Sequence, residues 1–149
     1  MTIPEPQFDD LFREVILDHY RRPRNHGALD APTVTVEGMN PVCGDEVRLD
    51  LAVSGDAISD IAFGGQGCSI SLASTSMLTE AVKGRSLSDA DGIGERFRAM
   101  MMDEAEPGRD FGDLEALQGV AKFPVRVKCA LLGWNVLRQG LEQVRAEAR

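Results

Sequence analysis

Residues 46–63 read EVRLDLAVSGDAISDIAF. Apolar residues at 47, 49, 51 and 53 alternate with polar or small residues, which is typical of a β-strand with one buried face. Ser54-Gly55-Asp56 has the composition of a tight turn, and residues 57–63 form a weaker strand with Ile61 and Phe63 on one face. The segment therefore predicts an antiparallel hairpin.

The flanking sequence predicts one more strand and several helices. A short β-branched stretch at 33–37 predicts the strand. Apolar residues at helical spacing predict helices over residues 8–20, from 69 to about 84, over 88–102 and over 114–120. Pro124 fits the first turn of a last helix. We expect an α+β fold, with a small three-stranded antiparallel sheet packed with helices, in a single domain over residues 1–149.

The composition argues against several classes of function. The 149 residues carry 16 Lys and Arg against 24 Asp and Glu, a formal net charge of −8, and aromatic residues make up 5%. Nucleic-acid-binding surfaces usually carry excess positive charge or stacked aromatic side chains, so nucleic acid is not an expected partner. The sequence contains neither a run of about 18 apolar residues nor a secretory signal pattern. We expect a cytoplasmic protein without membrane contact, whose three cysteines are free thiols.

The predicted hairpin brings two of these cysteines together. Its first strand begins after Cys43, within NPVCGD (40–45), and its second strand ends shortly before Cys68, within GGQGC (64–68). In an antiparallel pair, the start of one strand lies beside the end of the next. Cys129, in the second turn of the last helix, reaches the same place if that helix crosses the sheet with its amino end there.

These thiols suit a metal ion. Cys68 directly precedes a helix, whose amino end stabilises a thiolate, and Arg126 and Lys128 put positive charge near Cys129. Three thiolates and the Asp45 carboxylate would supply the four ligands of a tetrahedral zinc site, with Lys128 offsetting the negative charge.

Other interpretations stay open on the residues alone. Cysteine is frequently just a small buried residue, so the three could lie in the core under glycine-rich turns. The spacing contains no CxxC pair, which disfavours a zinc ribbon. The GGQG run at 64–67 lacks the Lys-Ser/Thr of a phosphate-binding loop, which disfavours phosphate binding.

Several motifs, taken in order, resemble the IscU/NifU-type iron–sulfur cluster assembly proteins, and within them the SufU branch. They are NPVCGD (40–45), GGQGCSIS (64–71) and FPVRVKCA (123–130), preceded by ILDHY (16–20) and PRNHG (23–27). IscU-type scaffolds carry a histidine before the last cysteine, where this chain has Lys128. The acidic stretch at about 86–117 resembles the extra helical segment of SufU proteins.

The resemblance implies an IscU/NifU-like, SufU-type fold and a specific activity. By analogy, Cys43, Asp45, Cys68 and Cys129 hold Zn²⁺, and Cys43 accepts sulfur as a persulfide from a SufS-type cysteine desulfurase. The chain would then be an accessory sulfurtransferase rather than a stand-alone enzyme, passing sulfur to downstream SUF assembly proteins.

Two other activities remain possible on this resemblance. One is an IscU-like scaffold that assembles and delivers an Fe–S cluster on Cys43, Cys68 and Cys129. The other is a structural zinc or core-cysteine protein without transfer activity. His19 and His26 lie outside the cysteine motifs, so we expect them to be hydrogen-bonded surface or helix residues and not ligands.

Overall fold

A three-stranded antiparallel sheet forms the frame of the fold. The computed structural model describes residues 10–103, 105–106 and 111–147. Its strands lie in sequence order: β1 (Val34–Asn40), β2 (Asp45–Ser54) and β3 (Ala57–Gln66). Ser54 pairs with Ala57, and Gly55, at φ 63°, turns the chain between them. The predicted hairpin and the α+β class are confirmed.

Two strands are longer than the sequence alternation predicts. β1 continues to Asn40 and β3 to Gln66. Both extensions contain glycine, which has a low β-propensity and so weakens the sequence signal. At Gly38 the missing side chain is required, because a Cβ there would lie 2.6 Å from Val136 Cγ2. The extra residues carry both strands to the edge where the cysteine motifs begin.

Helices cover the sheet. Those in the described residues are α1 (Asp10–Arg21), α2 (Ser69–Val82), α3 (Leu87–Met102), a 3₁₀ segment (Gly112–Lys122) and α4 (Pro124–Glu147). The predicted helix start at residue 8 lies outside the described residues. The short helix expected at 114–120 is a longer 3₁₀ segment. Within the described part of the chain, no helix has the length and apolarity needed to cross a bilayer.

The core lies between the sheet and α4, the longest helix. Leu49 and Leu51 of β2 are fully buried, and α4 packs across β1 and β2 and against α2. Trp134 of α4 stacks on Phe97 of α3, with ring centroids 4.8 Å apart, which attaches α3 to the outer side of α4. The acidic stretch at about 86–117, in its described part, consists mainly of α3 and the first half of the 3₁₀ segment.

Glycines let α4 approach its neighbours closely. A Cβ at Gly133 would lie 2.5 Å from Thr75 Oγ1 of α2, and one at Gly140 would lie 2.8 Å from Leu51 Cδ1 of β2. These contacts fix the depth of α4 against α2 and the sheet. Cys129 lies one helical turn before Gly133, so its position depends on this packing.

The helix α2 is buried on nearly all sides and carries a polar face. The expected apolar face includes the buried Ala73 and Met77, but serines and threonines are buried as well. One of them, Ser76, contacts His19 of α1 at 2.7 Å through Nδ1. His19 Nε2 lies 2.7 Å from Asp113 Oδ2 of the 3₁₀ segment. His19 is therefore a fully buried, hydrogen-bonded helix residue that links three elements, not a surface residue.

Candidate metal centre

The first cysteine lies in the turn between β1 and β2. Asn40 pairs with Asp45 at the end of the ladder, and the Gly44 N–H donates to the Asn40 carbonyl at 2.8 Å. Gly44 has φ 71°, a conformation that favours glycine. The Val42 N–H donates to Asn40 Oδ1 at 3.2 Å. This tight turn holds Cys43 half-buried at the edge of the sheet.

The second cysteine is held beside Asp45. Asp45 is fully buried at the start of β2, and its Oδ1 accepts the Cys68 backbone N–H at 2.9 Å. Its second oxygen, Oδ2, lies 3.9 Å from Cys68 Sγ. A Cβ at Gly67 would overlap Asp45 Oδ1, so the carboxylate occupies the space that a side chain would fill there.

Cys68 is also the N-cap of α2. Its Sγ accepts the Ser71 backbone N–H at 3.5 Å. The sulfur therefore lies at the positive end of a helix of 14 residues, which is the position expected from the sequence and one that stabilises negative charge.

The third cysteine reaches the same edge from α4. Cys129 is fully buried, and its Sγ lies 3.1 Å from Cys43 Sγ. Burial raises the pKa of the Cys129 thiol, and contacts with Cys43, Asp45 and Cys68 raise it further. The structure thus brings together the three sulfurs and the carboxylate that the sequence singled out.

The donor atoms have a spacing that suits one cation. The ligand atoms of Cys43, Asp45 and Cys129 lie within 4.8 Å of one another, and Cys68 Sγ lies 3.9 Å from Asp45 Oδ2. Ligands bound tetrahedrally to one zinc lie about 3.6–3.8 Å apart, given Zn–S and Zn–O distances of about 2.3 and 2.1 Å. The observed separations are 3.1 Å between Cys43 Sγ and Cys129 Sγ and 3.9 Å between Cys68 Sγ and Asp45 Oδ2. Both differ from the tetrahedral values by less than the distance through which a side-chain rotation moves a ligand atom. Cys43, Asp45 and Cys129 therefore fit one metal ion in chemistry and spacing, and Cys68 places a third thiol next to this group.

The other candidate residues lie outside this group. Lys128 and Arg126 are exposed on α4, and neither forms an ion pair within the described part of the chain. The structure thus does not bring Lys128 to the Asp45 carboxylate, whose Oδ1 accepts a hydrogen bond from the Cys68 N–H instead. His26 is exposed and meets Phe63 edge-on, with the ring centroids 5.3 Å apart.

Two residues beside the site were not expected from the sequence. Asn40 shapes the Cys43 turn, and the Ser71 backbone N–H donates to the Cys68 sulfur that caps α2. Both also carry a buried side-chain donor, Asn40 Nδ2 and Ser71 Oγ, that finds no hydrogen-bond partner among the described residues. The rule that an N-cap accepts from the third helical residue was available to identify Ser71. The role of Asn40 depends on strand pairing, which its own sequence neighbours do not reveal.

Comparison with known proteins identifies the family. The model of the NifU-like N-terminal domain matches residues 11–148. The chain belongs to this family. A zinc-dependent sulfurtransferase SufU of Bacillus subtilis is 48% identical to this NifU-like chain over 134 residues, covering 89% of this chain and 90% of that protein. The iron–sulfur cluster assembly scaffold protein IscU of Streptococcus pyogenes is 41% identical, covering 92% of this chain and 86% of that protein.

A solved structure supports the same assignment. It is a candidate iron–sulfur cluster assembly scaffold protein for the SUF system from Fervidobacterium islandicum. It matches with a TM-score of 0.81 and 35% identity, covering 86% of this chain and 94% of that one. The IscU/NifU-like fold expected from the sequence motifs is therefore confirmed.

Proposed function

We propose that this chain is a zinc-dependent sulfur acceptor that takes persulfide sulfur from a SufS-type cysteine desulfurase onto Cys43. The observation that carries the proposal is the convergence of three thiols and one carboxylate at one sheet edge, with Cys43 as the sulfur on an outer turn. The similarity to a Bacillus protein named as a zinc-dependent sulfurtransferase supports it.

Cys43, Asp45, Cys68 and Cys129 would hold the zinc. A bound zinc ion keeps thiols deprotonated and cannot itself oxidise them. The protein contributes the positions of the ligands. Asp45 offers Oδ2 while Oδ1 is occupied by the Cys68 N–H, and Cys68 is fixed by its helix cap.

Cys43 is the best acceptor among the three thiols because of its surroundings. Cys129 is fully buried and Cys68 is tied to both Asp45 and α2, whereas Cys43 lies in a turn next to the exposed Val42. In the transfer, the Cys43 thiolate attacks the terminal sulfur of the desulfurase persulfide. A new S–S bond forms on Cys43, the donor S–S bond breaks, and the donor cysteine leaves as a thiolate, so no external oxidant is required.

A second candidate function is an IscU-like scaffold that assembles and delivers an Fe–S cluster on the three cysteines. The 3.1 Å distance between the Cys43 and Cys129 sulfurs supports it, since thiolates bind such clusters as well as zinc. Two observations favour the first function. The residue before Cys129 is an exposed lysine and not a histidine, and the close group of donor atoms includes the Asp45 carboxylate beside Cys43 and Cys129.

We expect the protein to act in the cytoplasm with the desulfurase and, downstream, with SUF assembly proteins. The reason is chemical, because the three cysteines are unpaired and a reducing compartment keeps them so.

Metal analysis combined with desulfurase assays tests the proposal. Protein purified without added iron should contain about one zinc per chain and should stimulate the desulfurase encoded in the same genome. A brown protein whose visible absorbance persists after gel filtration would favour the scaffold. If chelation leaves both the melting temperature and the stimulation unchanged, zinc is required neither for stability nor for stimulation, and the zinc-dependent proposal is wrong.

The variant Cys43→Ala tests the acceptor. It should abolish stimulation of the desulfurase, because the other two thiols are buried or fixed, and mass spectrometry should find no added sulfur on the chain. Ser54→Ala, at the opposite end of the sheet, is the control and should behave like the unmodified protein. Normal stimulation by Cys43→Ala would show that another residue accepts the sulfur.

A further inference from the structure

A groove of about 560 Å³ runs beside the thiol site. Its walls are mostly apolar and come from the end of β1, the end of α3 and one face of α4. They include Met39, Pro41, Met101, Met102, Leu131 and Leu132. Met39 and Met102 are about 60% exposed, and they line the same groove, so this exposed apolar surface is grouped and not scattered. Asn40 and Pro41 also belong to the turn that carries Cys43, so the groove borders that turn.

The charged groups of the groove are all positive. Arg98 and Lys128 line it, and neither forms an ion pair with a described residue. The bond that the structure gives the Arg98 guanidinium is to Asn135 Oδ1, a neutral acceptor, at 2.8 Å. The whole chain, by contrast, has a formal net charge of −8. A cationic groove on an acidic protein is complementary to an anionic group of a partner.

Arg98 is also partly buried, which favours an anionic partner. Burial lowers the pKa of its guanidinium and the like charge of Arg138 lowers it further, while Glu95 acts in the opposite direction. A carboxylate bound in the groove would stabilise the charged form of Arg98.

We propose that this groove receives a segment of the cysteine desulfurase that carries a large apolar side chain next to a carboxylate. The apolar group fills the space between Met39 and Met102, and the carboxylate accepts from Arg98. This inference rests on the proposed function. It adds a docking element beside the turn that carries Cys43, which strengthens binding of the desulfurase without taking part in the sulfur transfer.

A protein segment suits this site better than a flat surface such as a membrane. The groove is concave, has a volume typical of ligand sites, and combines apolar walls with a few donors, as peptide-binding grooves do. Docking there covers Met39 and Met102, which are otherwise left in water.

The test compares two groove variants with matched controls. Arg98→Glu reverses the charge in the groove, and Met102→Asp places a charge on its apolar wall. Arg21→Glu and Leu11→Asp make the same chemical changes at exposed positions on α1. Binding is measured by titrating the fluorescently labelled, zinc-loaded chain with the desulfurase, and stimulation is measured separately. We expect each groove variant to raise the Kd about tenfold while zinc content and stimulation at saturation stay unchanged.

The outcomes separate this proposal from the proposed function. Unchanged Kd values for Arg98→Glu and Met102→Asp would refute the groove, and equal effects of Arg21→Glu and Leu11→Asp would show a general effect of charge instead. Tight binding without any stimulation by the unmodified chain would refute the sulfur-acceptor function, while the groove variants would still decide the docking site.

Discussion

The substitution Gly133→Ala should loosen the site by separating two helices. A Cβ at Gly133 would lie 2.5 Å from Thr75 Oγ1, 3.2 Å from its Cβ and 3.3 Å from its Cγ2. Since non-bonded heavy atoms prefer about 3.5–4.0 Å, α2 and α4 must move apart by about 1 Å. Overpacking of this kind costs about 1–3 kcal/mol, which lowers the melting temperature by roughly 2–12 °C in a domain of this size.

The same displacement should reach the thiols. Cys129 lies one turn before Gly133 on α4, and Cys68 caps the amino end of α2 two turns before Thr75. Moving the two helices apart therefore moves these sulfurs apart. Zinc retention, measured by competition with a chromogenic chelator, should fall in Gly133→Ala together with the melting temperature measured by circular dichroism.

Two further variants test whether the helix contact is the cause. Thr75→Ala removes the Oγ1 and Cγ2 atoms that the new methyl group meets, so the double variant should recover about 1–2 kcal/mol relative to the sum of the single effects. Gly92→Ala, in α3, is the matched control because a Cβ there meets nothing within 4 Å. It should stabilise the protein by about 0.5–1 kcal/mol, since glycine disfavours helix. If Gly133→Ala is as stable as the unmodified protein, or Thr75→Ala gives no recovery, the packing argument is wrong.

Two other substitutions test the polar links. His19→Ala should destabilise the protein by roughly 3 kcal/mol, because it empties a buried site and leaves the Ser76 hydroxyl with only the Arg24 N–H, while zinc content stays the same. Denaturant titration measures the loss, and a change below about 0.5 kcal/mol would contradict it. Asp45→Asn keeps the shape and the acceptor for the Cys68 N–H but removes the negative charge. It should release zinc to a chelator at least about tenfold faster, and equal release would exclude Asp45 as a ligand.

The sequence predicted the hairpin and the helices because their signals are local. Alternating residues at 47–53 and the turn at 54–56 report on neighbouring positions, and both the strands and the turn are found. Glycine-rich strand ends gave no such signal, so β1 and β3 were predicted too short. The 3₁₀ geometry at 112–122 also depends on packing rather than on residue spacing.

For the site, the sequence predicted the two cysteines that the hairpin brings together. Predicting that Cys129 lies at the same site required knowledge of how α4 crosses the sheet. Close contacts at Gly133 and Gly140 fix that position, and no local sequence pattern encodes them. Lys128 was expected beside the carboxylate because it is next to Cys129 in sequence. Adjacent helical residues point about 100° apart, and the structure leaves Lys128 exposed while Cys129 is buried.

The stacking of Trp134 on Phe97 gives the molecule a built-in optical probe. Trp134 is the one tryptophan of the 149 residues, it is almost fully buried, and its indole N–H donates to Ser74 Oγ at 3.2 Å. Its emission wavelength therefore reports whether α3 is seated on α4. Helix α3 also supplies Met101 and Met102 to the groove. Tryptophan fluorescence therefore reports the position of this groove wall in solution without any added label.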